Sequence, residues 1–183
     1  MINLRDVASV LSGISPPPEG SGTARYVQIK DFTPRRRALV YALAPTAGRA
    51  TPIGPNDVLI AARGGGPLAA RPDDKLIGAY PAMDVYLVRP DTARLDPDFL
   101  VAFVNIGPAG NTLRTSASGS SLPRIPKEAV EMLAIPRLPL EVQKRIGALE
   151  AARSLYASLA ERKINAERRL IGAVVRTFTT TRD

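Results

Sequence analysis

The chain has no cysteine and no histidine. Without cysteine there are no disulfides, thiolate metal sites or cysteine nucleophiles. Without histidine the usual metal ligand and the usual general base are missing. Lysine or carboxylate chemistry remains open, but Asp57 and the pair Asp73-Asp74 have no partner acid at useful spacing and read as turn and surface residues. Tryptophan is absent too, and five tyrosines and four phenylalanines are a poor supply of stacking platforms for single-stranded nucleic acid. Met1 to Leu11 lacks the basic start and apolar run of a signal peptide. No apolar stretch reaches the roughly 18 residues of a membrane span. The expectation is a cytoplasmic protein without a membrane partner.

What is present is arginine. Of 25 basic residues five are lysine and 20 arginine, against 17 acids, for a net charge of +8. The excess is spread over the chain: residues 1–140 and residues 141–183 each carry +4. Such a balance suits a polyanion, and arginine binds phosphates and guanine edges bidentately. A GC-rich coding sequence gives the same bias, and the 26 alanines and 17 prolines fit that reading equally well.

The tail organises the chain. Pro139 opens a helix, where its missing N–H costs nothing, and Glu141 complements the helix dipole in the first turn. No proline follows. Val142, Ile146, Leu149, Ala152, Tyr156, Leu159, Ala166, Leu170 and Ala173 recur at steps of three and four, with Lys163 filling the one gap. A period near 3.5 marks a helix packed along another helix. About 40 residues at about 1.5 Å each make a rod of roughly 60 Å, too long for one small core to cover. The spacing predicts a seam shared with a partner chain; a terminal helix folded back on its own domain is the competing arrangement. Gly147 and Gly172 each weaken the helix by about 1 kcal/mol relative to alanine.

Ahead of the rod, residues 1–138 read as a small mixed α/β domain, the rod itself being residues 139–183. Leu4, Val7, Ala8 and Leu11 fit one face of a short helix stopped by Gly13. Strands are expected at Arg25–Phe32, Ala38–Leu43, Asp57–Ala62, Leu76–Ala79 and Met83–Val88. Asp96-Pro97-Asp98 is a helix start, and Gly107-Pro108 ends that helix. Residues 110–124 are small, polar and basic, and a short helix follows Pro126.

Three stretches carry candidate contacts to nucleic acid. Arg35, Arg36 and Arg37 either track a DNA backbone or form a solvated turn. Arg63 with Gly64, Gly65 and Gly66 either cradles a phosphate on bare backbone N–H groups or is a loop after a buried strand; no Gly-Lys-Ser/Thr follows, so it is not a nucleotide-hydrolysing P-loop. Arg114 and Arg124 flank Ser118 and Ser120, and guanidiniums and hydroxyls are the groups that contact phosphates and base edges. A plain loop is the alternative there.

The order of parts resembles one family. It is carried by Leu4-Arg5-Asp6-Val7 with Ser12-Gly13; Asn56-Asp57-Val58-Leu59-Ile60 with Arg63-Gly64; Leu95-Asp96-Pro97-Asp98-Phe99-Leu100; Ser118-Gly119-Ser120 with Ile125-Pro126; and Leu133-Ala134-Ile135-Pro136 before Pro139-Leu140-Glu141-Val142-Gln143-Lys144-Arg145-Ile146. The last run is the most specific. The chain resembles the specificity (S) subunit of type I restriction–modification systems. In that family a target recognition domain precedes a long helix, and the pair occurs twice; each domain reads half of a split DNA site, the two helices lie antiparallel as a ruler, and methyltransferase subunits bind beside them. This sequence holds the unit once.

The resemblance therefore implies half an S subunit: an α+β fold whose long C-terminal helix forms an intermolecular antiparallel coiled coil. The seam favours a homodimer over a truncated gene or half of a two-gene pair, because a lone rod would expose its apolar stripe. The interface would comprise Val142, Ile146, Leu149, Tyr156, Leu159, Ala166 and Leu170. The expected function is non-catalytic recognition of a bipartite palindromic site in double-stranded DNA, on behalf of a methyltransferase (M) subunit and, in some systems, a restriction (R) subunit. S-adenosylmethionine belongs on the methyltransferase; this chain itself is expected to hold no cofactor and no metal. The competing functional class is a coiled-coil adaptor without a DNA role, and salt-dependent binding to duplex DNA separates the two.

Overall fold

A computed structural model describes residues 1–18, 22–32, 39–46, 48–64, 68–117 and 123–180. In chain order its strands and α-helices are β1 (Ile2–Asn3), β2 (Ala8–Ser12), β3 (Ala24–Val27), β4 (Val40–Ala42), β5 (Val58–Ala61), β6 (Ala69–Ala70), β7 (Tyr80–Pro81), β8 (Val85–Pro90), α1 (Pro97–Asn105), α2 (Ala109–Thr115), α3 (Lys127–Glu131), β9 (Ala134–Ile135) and α4 (Leu140–Thr180). Short 3₁₀ turns occupy Leu4–Asp6 and Ile29–Phe32.

The central sheet runs β2-β8-β5-β6, all antiparallel. Both of its faces are covered, which is why β5 and β8 are near-continuous apolar runs rather than alternating ones. Val58, Ile60, Tyr86 and Val88 face α1, α2 and α3, in a core with Leu4, Phe99, Leu100, Val104, Leu113 and Val130. Leu59, Val85 and Leu87 face the opposite way, toward Val27, Ile53 and Leu76. That second layer is the small sheet β4-β3-β7, in which β3 pairs antiparallel with β4 and parallel with β7. A third ladder, β1 with β9, joins Ile2 to Ile135 and closes the domain at the foot of α4.

Several local expectations give way to tertiary context. The helix read at Leu4–Leu11 is a 3₁₀ turn followed by a strand: Val10 faces the core and β2 pairs residue for residue with β8. The expected strand Arg25–Phe32 stops at Val27, where Asp31 accepts a hydrogen bond from Gln28 N at 2.8 Å and turns the chain. Leu76–Ala79 forms turns, with Leu76 N donating to Asp73 O and Gly78 at φ +77°. Within the polar stretch 110–124, Ala109–Thr115 is helical because Leu113 is fully buried. Asp57 is no surface residue: only 1% exposed, it accepts from Gly54 N and pairs with Arg89 at 2.7 Å, and that hydrogen bond raises the Arg89 pKa.

Other expectations hold. Asp96 caps α1 by accepting from Phe99 N at 2.8 Å, with Pro97 in the first position. Helix α4 runs 41 residues, and its first turns lie against α1. Two residues set that junction. A Cβ on Gly147 would sit 2.7 Å from Phe99 N, so the helices approach at glycine distance. Gln143 is 3% exposed; its side chain accepts from Asp96 N and donates to Arg94 O and Leu138 O. The rod therefore leaves the domain at a set angle. Beyond that junction its apolar side chains are open: Leu149 is 74% exposed and Tyr156 76%.

Candidate nucleic-acid interface

The residue after β5, Ala62, ties three segments together. Its N–H donates to Asp84 O at 2.8 Å, and its carbonyl accepts from Ile125 N at 2.8 Å. Its neighbours in space are therefore Arg63, Asp84 and Arg124. Both guanidiniums reach one carboxylate oxygen: Arg63 Nη2 lies 2.8 Å and Arg124 Nη1 2.7 Å from Asp84 Oδ1. Arg124 also donates to Met83 O at 2.7 Å and lies 5.3 Å from the centre of the Tyr86 ring. The Tyr86 hydroxyl donates to Ile125 O, which fixes the ring beneath the guanidinium.

The sequence expectation placed Arg63 and Arg124 in separate loops, 61 residues apart in the numbering. The fold brings them to one carboxylate. Two cations share one anion, so the cluster keeps a positive excess. Each side chain is about a third exposed. Arg63 Nε is buried and has no hydrogen-bond partner among the described residues. Such an arrangement holds two planar donor groups in place with donor capacity to spare, a geometry matched to phosphate or to the guanine edge.

Arg114 is elsewhere, exposed in the last turn of α2. Arg35, Arg36, Arg37, Ser118 and Ser120 lie outside the described residues. Sequence reasoning missed Asp84, an isolated acid in sequence whose role exists only once three segments meet. It missed Gln143 as a clamp, although that residue stands within the run most specific for the resemblance.

Beside the cluster is a cleft of about 390 Å³ between the segments at Ser15, Gln28–Lys30 and Ala82–Asp84. A larger concavity of about 660 Å³ follows Arg162, Arg168, Arg169 and Arg176 along the far half of α4. It is an open furrow on one exposed helix. Among the described residues no helix is long and apolar enough to cross a membrane, and no cluster of acids could hold a metal.

No family model matches the chain, and no curated protein matches it. Solved structures do. The HsdS subunit from Thermoanaerobacter tengcongensis superposes with a TM-score of 0.60 at 24% identity, covering 86% of this chain and 38% of that one. A chain from a structure of a type I R-M system undergoing complex assembly and conformational transition superposes with a TM-score of 0.62 at 22% identity, covering 92% of this chain and 42% of that one. The chain spans less than half the length of either. Domain and rod together have the fold of the HsdS subunit, over the 38% of its length that this chain covers.

Proposed function

We propose that the chain is a DNA-recognition subunit of a type I restriction–modification system, non-catalytic in itself, that directs a methyltransferase subunit to a bipartite palindromic site. The observation that carries this reading is the shared fold: a domain followed by one long helix that superposes on HsdS over 86% of this chain. The Asp84 cluster supports it by presenting Arg63 and Arg124 side by side for a polyanion. Methyl transfer and S-adenosylmethionine would reside on the partner, and a restriction subunit would join in systems that cleave.

The same reading makes the chain a homodimer through α4. The seam residues Val142, Ile146, Leu149, Tyr156, Leu159 and Leu170 are all more than a third exposed. A seam of period 3.5 on a helix of 3.6 residues per turn drifts slowly around the rod, which a left-handed supercoil compensates. Ile164, Ile171 and Val175 fall on another stripe, roughly 130–170° around the helix from the centre of the seam, and are also exposed. We assign that stripe to the methyltransferase subunit.

Mapping methylated bases in cells that carry the chain with its methyltransferase, and in cells lacking it, tests the reading. The expected result is a pair of inverted half-sites around an unread spacer, methylated only when the chain is present. Unchanged methylation without the chain, or methyl transfer by the purified chain alone, overturns it.

A further inference from the structure

The turn Ala82–Asp84 joins β7 to β8 and is held from every side. Ala82 N donates to Val27 O and Val85 N to Ala82 O, both at 2.8 Å. Gly13 N donates to Val85 O at 3.0 Å, and Ile14 N to Pro81 O at 3.1 Å. Gly13 comes so close that a Cβ there would lie 2.0 Å from Ala82 O. This turn is rigid, and it carries Met83 at its tip. Met83 is 48% exposed, with its sulfur accepting from Ser15 Oγ at 3.5 Å. A large apolar side chain is thus displayed between polar neighbours on a fixed support.

Gln28 lines the same cleft as Met83. Its backbone is committed on both sides: its N–H donates to Asp31 Oδ2, and its carbonyl accepts from Asp31 N. Its side-chain amide has no hydrogen bond among the described residues, and the residue belongs to no apolar cluster. Lys30 is exposed on the same rim. The cleft ends at Asp84, where Arg63 and Arg124 begin.

We propose that this cleft is a base-reading element for an A·T pair adjacent to the guanine taken by the arginines, with Gln28 on the adenine and Met83 on the thymine methyl. Glutamine pairs bidentately with adenine N6 and N7, and an apolar side chain is the natural contact for the thymine C5-methyl group. Arginine on guanine O6 and N7 completes the neighbouring step. Lys30 supplies a phosphate contact that sets register without reading sequence. The inference rests on the DNA-recognition reading above and deepens it by naming which residues discriminate.

Neither Gln28 nor Met83 supports the fold, so variants at both should fold as the parent does, checked by circular dichroism and thermal midpoint. The full chain is used to select from a pool of random duplexes, and bound DNA is sequenced. The wild type should enrich a half-site containing guanine beside an A·T pair. Gln28→Ala should lower the preference at the A·T position by roughly 5- to 150-fold, the range for one bidentate base contact, and leave the guanine preference intact. Met83→Ala should weaken preference at the same pair. Lys30→Ala should reduce binding to every sequence alike and lower the log–log salt slope by about 0.9. If the wild type enriches a sequence but Gln28→Ala and Met83→Ala enrich the same one equally well, the cleft is not a reader and the recognition reading stands. If the wild type enriches nothing, both fall.

Discussion

Asp84 and Asp57 are both carboxylates bonded to arginine, yet their surroundings assign them different work. The Asp57 side chain is 2% exposed, and its partner Arg89 lies in the same wall of the domain. Removing the cation strands a buried anion, at a typical cost of about 3–5 kcal/mol. Arg89 is itself 45% exposed, so Arg89→Ala should fall at the low end, about 3 kcal/mol, seen as a lower urea midpoint with unchanged slope. Asp84 is about a third exposed and bonded to two arginines, a geometry that fixes where they point. Arg63→Ala and Arg124→Ala should each relax preference at a single base pair by about 1–3 kcal/mol of discrimination. Arg124→Ala should also cost some stability, because that side chain anchors Met83 O and covers Tyr86. Duplex selection separates the effects: uniform weakening on all sequences would make these arginines phosphate contacts.

Elements were legible in the sequence where a local signal sufficed. Asp96-Pro97 announces α1 because cap and first-turn chemistry are local. The rod was legible because its seam repeats over many turns. Strand β2 was not: its apolar spacing fits a helix, and only pairing with β8 decides otherwise. Helix α2, with Gly110, Asn111 and Thr112, has weak intrinsic propensity and exists through the burial of Ala109 and Leu113. The two rod glycines look alike in sequence and differ in structure. Gly147→Ala should destabilise by about 1–3 kcal/mol, since the new methyl meets the α1 backbone. Gly172→Ala meets only the flexible end of Arg176 and should stabilise by about 1 kcal/mol. Thermal unfolding of the two variants should therefore shift in opposite directions. Along the same helix, Leu149→Asp with Leu159→Asp should yield a folded monomer in sedimentation. Ile171→Asp should leave the dimer intact and lose the methyltransferase in co-purification. A wild type that sediments as a folded monomer would remove the seam from the interface.

For the molecule as a whole, the Gly147 and Gln143 junction makes domain orientation follow the rod. In a homodimer with antiparallel rods the domains sit at opposite ends, on the order of 60 Å apart at most. With B-DNA advancing about 34 Å per turn, half-site centres should lie one to two turns apart and be inverted copies. A seven-residue insertion near Lys163 preserves the seam and adds roughly 10 Å, about three base pairs. Methylation mapping should show a longer spacer between unchanged half-sites, with activity reduced to the extent that the duplex must twist. An insertion that changed the half-site bases and kept the spacer would show that the rod is not the ruler.

The pairing of β1 with β9 also has a meaning in time. Ile2 finds its partner only when Ile135 has been made, so the first strand waits through nearly the whole domain before its edge is covered. At about 5–20 residues per second, the 41 residues of α4 then take about 2–8 s to follow. Domain closure and seam exposure are thus ordered during synthesis: the strand that closes the domain is made before the exposed apolar seam of α4. A chain released early, anywhere within α4, would still hold both halves of that closing ladder, whereas one released before Ile135 would present an open sheet edge and no rod.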